Sequence, residues 1–240
     1  MKAMVLAAGV GSRLRPLTDS TPKALLEVGG VTLLERAVRA LAGAGADGVI
    51  VNTFHLADRV EAFLRSKDFG VPVKVSREDV LLDTGGAVAK AAWFLDDGEP
   101  FLVRNVDILS ELDLRAFYKG HVASGALATL AVRERPSKRR LLFAADGRLL
   151  GREGELEAPP AGLALAFDGI HAVSPEIFRK LTERGAFSMT DAYLRLAASG
   201  ETIRAFRADS SRWEEVGTPE RLEEARRRAS DPAGRAEPRR

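Results

Sequence analysis

The apolar run from Ala3 to Ala8 passes directly into Gly9-Val10-Gly11-Ser12-Arg13-Leu14-Arg15-Pro16-Leu17-Thr18, with Thr21-Pro22-Lys23 close behind. A buried strand that stops on two glycines and is followed by fixed cations narrows the fold sharply, because such a turn is useful only at the end of a sheet where backbone N–H groups can converge on an anion. Leu6, Ala7, Ala8, Gly9, Gly11 and Ser12 are expected to form the cradle, and Arg13 and Lys23 bring full charges to it. Two common phosphate loops do not fit. A dinucleotide fingerprint needs a third glycine where this chain has Leu14, and a Walker A loop closes on Gly-Lys-Ser/Thr, which is absent here. The loop reads as a triphosphate cradle.

The rest of the chain supplies the sheet such a loop requires. Gly48 to Asn52, Val73 to Ser76 and Pro100 to Arg104 are short apolar runs of the kind buried on both faces of a parallel sheet. Helical patterns separate them at Leu33 to Ala44, Ala57 to Arg65, Ala87 to Leu95 and Leu114 to Ser124. In the first, Leu33, Leu34, Ala37, Val38 and Leu41 form one stripe opposite Arg36 and Arg39. The alternation predicts a Rossmann-like, doubly wound α/β sandwich with a mostly parallel sheet and ligands at the carboxyl ends of its strands. Further on, strands are expected at Ala128 to Arg133, Leu141 to Ala144, Leu149 to Arg152, Leu165 to Val173 and Thr202 to Arg207, with Asp146-Gly147 as a hairpin turn. Helices are expected over Pro175 to Glu183, over Thr190 to Ser199 and from Pro219 to about Arg228, the last capped by Thr218.

With 240 residues, 45% hydrophobic and 29% charged, the chain can bury one substantial core, and a single domain over residues 1–230 is expected, with a nucleotide half over 1–110 and a sugar-phosphate half over 111–230. Residues 231–240 lack periodicity and read as a frayed tail. From Glu223 onward, Arg226, Arg227, Arg228, Arg235, Arg239 and Arg240 outweigh Glu223, Glu224, Asp231 and Glu237. This stretch accounts for the whole net charge of +2, so the basic balance does not indicate nucleic-acid binding. The absence of cysteine excludes disulfides and thiolate metal sites. With no apolar run of membrane length, and a first strand that leaves no room for a leader, the expectation is a soluble cytoplasmic protein, monomer or homodimer, with no membrane partner.

The segment Leu6 to Thr18 followed by Pro22-Lys23 resembles the signature of the sugar-1-phosphate nucleotidylyltransferases, gapless through Lys23. The resemblance is strong over residues 1–110 and good again over 215–222, and it favours the short bacterial members. It implies transfer of a nucleotidyl group from a nucleoside triphosphate to a sugar 1-phosphate with release of pyrophosphate, with Mg2+ as cofactor. Arg13 and Lys23 would carry catalysis.

The resemblance also places the other site residues. In Arg104-Asn105-Val106-Asp107 it assigns the principal metal ligand to Asp107 and puts Asn105 beside the nucleotide; the family usually has glycine where Val106 stands. Trp213-Glu214-Glu215-Val216-Gly217-Thr218-Pro219 resembles the late motif, in which an aspartate precedes Val-Gly-Thr-Pro. Here that position is Glu215, which either binds the metal or stabilises the N-terminus of the following helix. Leu82-Asp83-Thr84-Gly85-Gly86 resembles the segment beside the nucleobase. Its glycines would let the backbone approach the ring, and Asp83 would accept from an imide N–H, favouring UTP, GTP or dTTP, or would serve as a helix N-cap. Phe167-Asp168-Gly169-Ile170-His171 resembles the strand lining the acceptor pocket, which makes Gly169 and His171, with Asn52, the substrate-binding candidates. Arg133, Arg135, Lys138, Arg139 and Arg140 form a charge run, the usual mark of a solvated face. Three other readings stay open: a phosphocholine cytidylyltransferase, a metal-dependent glycosyltransferase, which normally carries Asp-x-Asp, and a non-catalytic nucleotide-sugar sensor.

Overall fold

The computed structural model describes residues 1–155 and 162–230; the tail expected over 231–240 lies outside these. The main sheet is built from β1 (Lys2–Leu6), β2 (Gly48–Thr53), β3 (Val73–Arg77), β4 (Phe101–Asn105), β5 (Ala128–Arg133), β6 (Leu141–Phe143), β7 (Leu149–Arg152), β8 (Leu163–Val173) and β9 (Ile203–Arg207). In the first half β3, β2, β1 and β4 lie side by side, all parallel. Beyond β4 the sheet turns antiparallel through β8, an eleven-residue strand. Its start pairs with β6, which forms a hairpin with β7, and the remainder pairs with β5, which carries β9 in parallel. A single strand can serve three neighbours because its register with β5 shifts between Phe167 and His171, where Gly169 takes a φ of 76°; a bulge of this kind re-aims a strand.

Successive side chains on a strand point to opposite faces, and the first half obeys this closely. Ala3 and Val5 of β1 face one layer while Met4 faces the other, and Leu102 is likewise split from Phe101 and Val103. The first layer packs on α1 (Leu33–Gly43) through Leu34, Ala37, Val38 and Leu41, all fully buried. It also meets α2 (Ala57–Ser66) and α6 (Pro219–Ser230), through Val60 of the former and Leu222 of the latter. The second layer is closed by α3 (Asp83–Lys90) and α5 (Met189–Ala198), with Val88, Tyr193 and Leu196 in its core. Burying a leucine or valine contributes roughly 1.5–3 kcal/mol, so these two faces account for much of the stability of the sandwich. The fold is the α/β sandwich that the alternation predicts.

Three local expectations change. The helix expected from Ala87 begins at Asp83, so Gly85 and Gly86 lie inside α3 and not ahead of it. The helix expected over Pro175 to Glu183 contracts to Ile177–Lys180, because Gly185 and Phe187 run back across α3, with Gly85 N donating to Phe187 O at 2.8 Å. Third, Ile108–Ser110 and Trp213–Glu215 pair antiparallel as a small ribbon apart from the main sheet, which no periodicity in such short segments announces.

Candidate active site

The carboxyl ends of β1, β2 and β4 open on a cavity of about 430 Å³ lined by Leu6, Gly9, Lys23, Asn52, Asp107 and others. Gly11 holds the loop after β1 in a left-handed conformation, φ 68°, and starts a turn of 3-10 helix over Ser12–Leu14. It allows nothing larger: a Cβ there would lie 2.9 Å from Thr18 Cγ2 and 3.2 Å from Lys23 Cβ, while the Thr18 hydroxyl donates to Gly11 O at 2.9 Å. Gly9 is exposed, and a Cβ on it would meet nothing within 4 Å. Gly11 closes the turn and Gly9 leaves its mouth open. Ala7 and Ala8 are buried beneath them, and Ser12 is exposed.

Two carboxylates face this loop. Val106 N donates to Leu6 O at 3.0 Å, and Val216 N donates to Asp107 O at 2.8 Å. The backbone thus draws Asp107 to the end of β1 and places Glu215, which pairs with Ile108 in the ribbon, next to it. Lys23, 8% exposed, donates its ammonium to Asp107. Arg13 reaches Glu215 Oε1 at 3.0 Å and Arg221 reaches Oε2 at 2.7 Å. Burial alone would push the Glu215 carboxyl up, but Arg13, Arg221 and Lys23 outweigh it and hold it below the ordinary glutamate value. The two carboxylates are thus matched by three cations, Lys23 on Asp107 and Arg13 and Arg221 on Glu215.

Among the described residues no three or more His, Asp or Glu side chains gather as a metal cage. Two carboxylates beside a phosphate cradle nevertheless fit magnesium, which takes hard oxygen ligands and is usually held by one or two carboxylates plus substrate phosphates. The family's glycine is here Val106, whose side chain is buried in the core, so the substitution acts on packing and leaves Asp107 in place.

Asn52 serves as a strut. Its Oδ1 accepts from Ala7 N at 2.7 Å and its amide donates to Glu78 Oε1 at 2.7 Å, while Glu78 Oε2 accepts from Leu82 N at 3.0 Å. Glu78, 4% exposed, joins the phosphate loop to the segment before α3. It is a residue that sequence reasoning missed, since an acid in the Glu78-Asp79 pair after a strand carries no local signal.

The base-side segment departs most from expectation. A Cβ on Gly85 would fall 2.2 Å from the Phe187 ring, and one on Gly86 would fall 2.2 Å from Gly185 O. These glycines make room for a crossing strand of backbone and not for a flat ligand. Thr84 lines the cavity and also accepts from Met189 N at 2.9 Å, capping α5. Asp83 is not the N-cap, a position taken by Leu82; it is the first helical residue, exposed, with φ 56°, and its carboxylate accepts from its neighbour Thr84 N.

A second cavity of about 600 Å³ shares Leu6, Asp83, Thr84 and Asn105 with the first and extends to Arg135, Arg139, Arg152, Phe167 and His171. Gly169 does not present open backbone to it, because a Cβ there would lie 2.8 Å from Asn105 Nδ2; the glycine lets the bulge of β8 pass over Asn105. His171, 2% exposed, bonds the Tyr193 hydroxyl through Nδ1 at 2.6 Å, and burial drops its pKa to about 3. It forms part of the cavity floor as a neutral ring. Asp168, beside it in the chain, is also buried and accepts from Arg133 Nε at 2.8 Å; burial lifts its pKa to about 6 against that arginine. The charge run is thus only partly a solvated face: Arg133 and Arg135 turn inward, and only Arg139 of the three cavity arginines is exposed.

A glycine-cornered anion loop at the ends of parallel strands, two carboxylates and three cations, opening on a second polar cavity, are the parts of an α/β enzyme built to handle phosphates. The "Nucleotidyl transferase" family model matches residues 2–144, and the chain belongs to that family. It is 33% identical over 236 residues to the N-acetylmuramate alpha-1-phosphate uridylyltransferase of Caulobacter vibrioides, covering 91% of this chain and 92% of that one. It is 34% identical over 233 residues to the enzyme of the same name from Neisseria meningitidis serogroup B, covering 94% and 96%. Among solved structures, HddC from Yersinia pseudotuberculosis complexed with GMP-PN superposes with a TM-score of 0.76 at 21% identity, over 95% of this chain and 98% of that one, a likeness of fold. The chain is an enzyme of the sugar-1-phosphate nucleotidyltransferase class. Among the described residues no helix is long and apolar enough to cross a membrane.

Proposed function

We propose that this protein joins a nucleoside triphosphate to a sugar 1-phosphate, releasing pyrophosphate, with magnesium held by Asp107 and Glu215. One observation carries the reading: Arg13 and Lys23, the cations of the phosphate loop, rest on the two carboxylates that suit the metal. When bound, magnesium would supply positive charge between two anions that otherwise repel. Phosphates entering the loop would then take over Arg13 and Lys23. A phosphate oxygen of the acceptor attacks the α-phosphorus, the bond from that phosphorus to the bridging oxygen breaks, and pyrophosphate leaves. The chain needs no nucleophile of its own; Arg13 steadies the leaving pyrophosphate, and Lys23 the α-phosphate and the incoming phosphate.

UTP with N-acetylmuramate 1-phosphate is the first pair to test, because the two full-length relatives are named for it. Pyrophosphate release would be measured with magnesium for UTP, GTP, CTP and dTTP against a panel of sugar 1-phosphates and phosphocholine. Turnover restricted to one triphosphate and one sugar 1-phosphate, abolished by EDTA, is the expected result. Silence across the panel with triphosphate binding intact would overturn it in favour of a sensor, and turnover only with CTP and phosphocholine in favour of a cytidylyltransferase. Arg13→Ala and Lys23→Ala should each slow the reaction on the order of 10³-fold; a rate within threefold of wild type would remove that residue from the mechanism.

A further inference from the structure

Between the phosphate loop and the acceptor cavity lies a cation with no part in the scheme above. Arg135 lines the second cavity, and its guanidinium lies over the Trp213 indole with 4.3 Å from carbon to ring centroid. It donates through NH2 to Phe167 O at 2.8 Å. Trp213 is itself fixed, since its Nε1 donates to Asp168 O at 2.9 Å. The Asp168 carboxylate is gripped by Arg133, whose NH1 also donates to Ser211 O at 2.9 Å. This network orients Arg135, and the single Asp168 carboxylate is shared between its charge and that of Arg133. The Asp168 carboxylate stands 3.9 Å from Arg135 Nε, too far for a hydrogen bond, and that nitrogen is buried and, among the described residues, without a partner. Trp213 and Glu215 belong to one three-residue strand, so the arginine is carried on the same ribbon as a metal carboxylate.

A planar guanidinium held by stacking and by one carbonyl keeps its remaining donors in a fixed fork, the arrangement that suits an oxyanion. The sequence run that holds it reads as surface charge, yet Arg135 faces the cavity. We infer that Arg135 binds the 1-phosphate of the acceptor and orients it toward the α-phosphorus. The inference rests on the proposed function. Arg133 and Asp168 are positioning residues for it, which explains an acid buried to 1% exposure at the bulge of a sheet strand.

Arg135→Gln tests this in the full chain. Charge-assisted hydrogen bonds of this kind predict that the acceptor KM rises roughly 10- to 100-fold, while the KM for the triphosphate and its binding with magnesium stay within about twofold. Inorganic phosphate, used as a probe, should compete with the acceptor in the wild type and lose at least tenfold in potency in the variant. Arg135→Lys, which keeps charge and loses the fork, should fall between. An acceptor KM within twofold of wild type, or equal loss of acceptor and triphosphate binding in a folded variant, overturns the assignment. Should Arg135→Gln fail to fold, Arg135→Lys is judged by the same ratio of the two KM values. A wild type silent with every sugar 1-phosphate would instead sink the proposed function itself, so the two failures are distinguishable.

Discussion

A methyl group on Gly85 would press on the Phe187 ring at 2.2 Å and on Phe187 O at 2.9 Å. The ring can rotate away, but the carbonyl, held by Gly85 N itself, cannot. Gly85→Ala should therefore destabilise the protein by about 1–3 kcal/mol, the usual range for overpacking. At Gly9, where a Cβ meets open space and φ is not positive, alanine should leave stability within about 0.5 kcal/mol. It should still weaken triphosphate binding, because the methyl would stand in the cavity mouth. Urea unfolding beside a triphosphate titration checks both. Equal stability loss in the two variants would contradict the distinction. The chain names all four glycines, two in the loop after β1 and two inside α3, but the sequence cannot say whether an absent side chain makes room for ligand or for another part of the protein.

Glu78 illustrates the same difficulty for elements. It ties the end of β2, the loop after β1 and the entry to α3, using both carboxylate oxygens on donors. Glu78→Ala would strand the Asn52 amide and Leu82 N–H in a buried place, a cost of about 1–3 kcal/mol. Relaxation of Ala7 should also raise the KM for triphosphate, and Asn52→Ala should do much the same. Denaturant melts and triphosphate KM values for both variants test the strut; an unaltered KM in each would show that Ala7 needs no such support. The strands, α1 and the Gly11 turn are legible in the sequence because periodicity and positive φ are local properties. The ribbon that brings Glu215 beside Asp107 is not, since two three-residue strands far apart in the chain carry no period. Arg221 was missed for the same reason: its partner, Glu215, lies outside its helix.

At the scale of the whole molecule, two histidines are kept neutral by burial. His121 of α4 (Leu114–Ser124) bonds Thr129 Oγ1 at 2.9 Å and Ser174 Oγ at 3.2 Å, joining the helix to β5 and to the end of β8. Burial lowers its pKa to about 4, and that of His171 to about 3. In the unfolded chain both take up protons near pH 6.5. Their contribution to stability is therefore full above that pH and is lost as the pH falls toward 4 and 3, with a slope approaching about 1.4 kcal/mol per pH unit for each. Thermal melts from pH 7.5 to 4.5 should show a steeper decline in wild type than in His121→Asn. Parallel profiles would mean that His121 protonates without cost.

The pairing of Ile108–Ser110 with Trp213–Glu215 also has a bearing on how the enzyme is made. A chain leaving the ribosome presents the Gly9 loop, Lys23 and Asp107 early, but Glu215 and Trp213 emerge only after every strand of the main sheet has been synthesised. The second carboxylate and the ring beneath Arg135 arrive together on that last short strand, so on the proposed function the site is complete only once it has paired with residues 108–110.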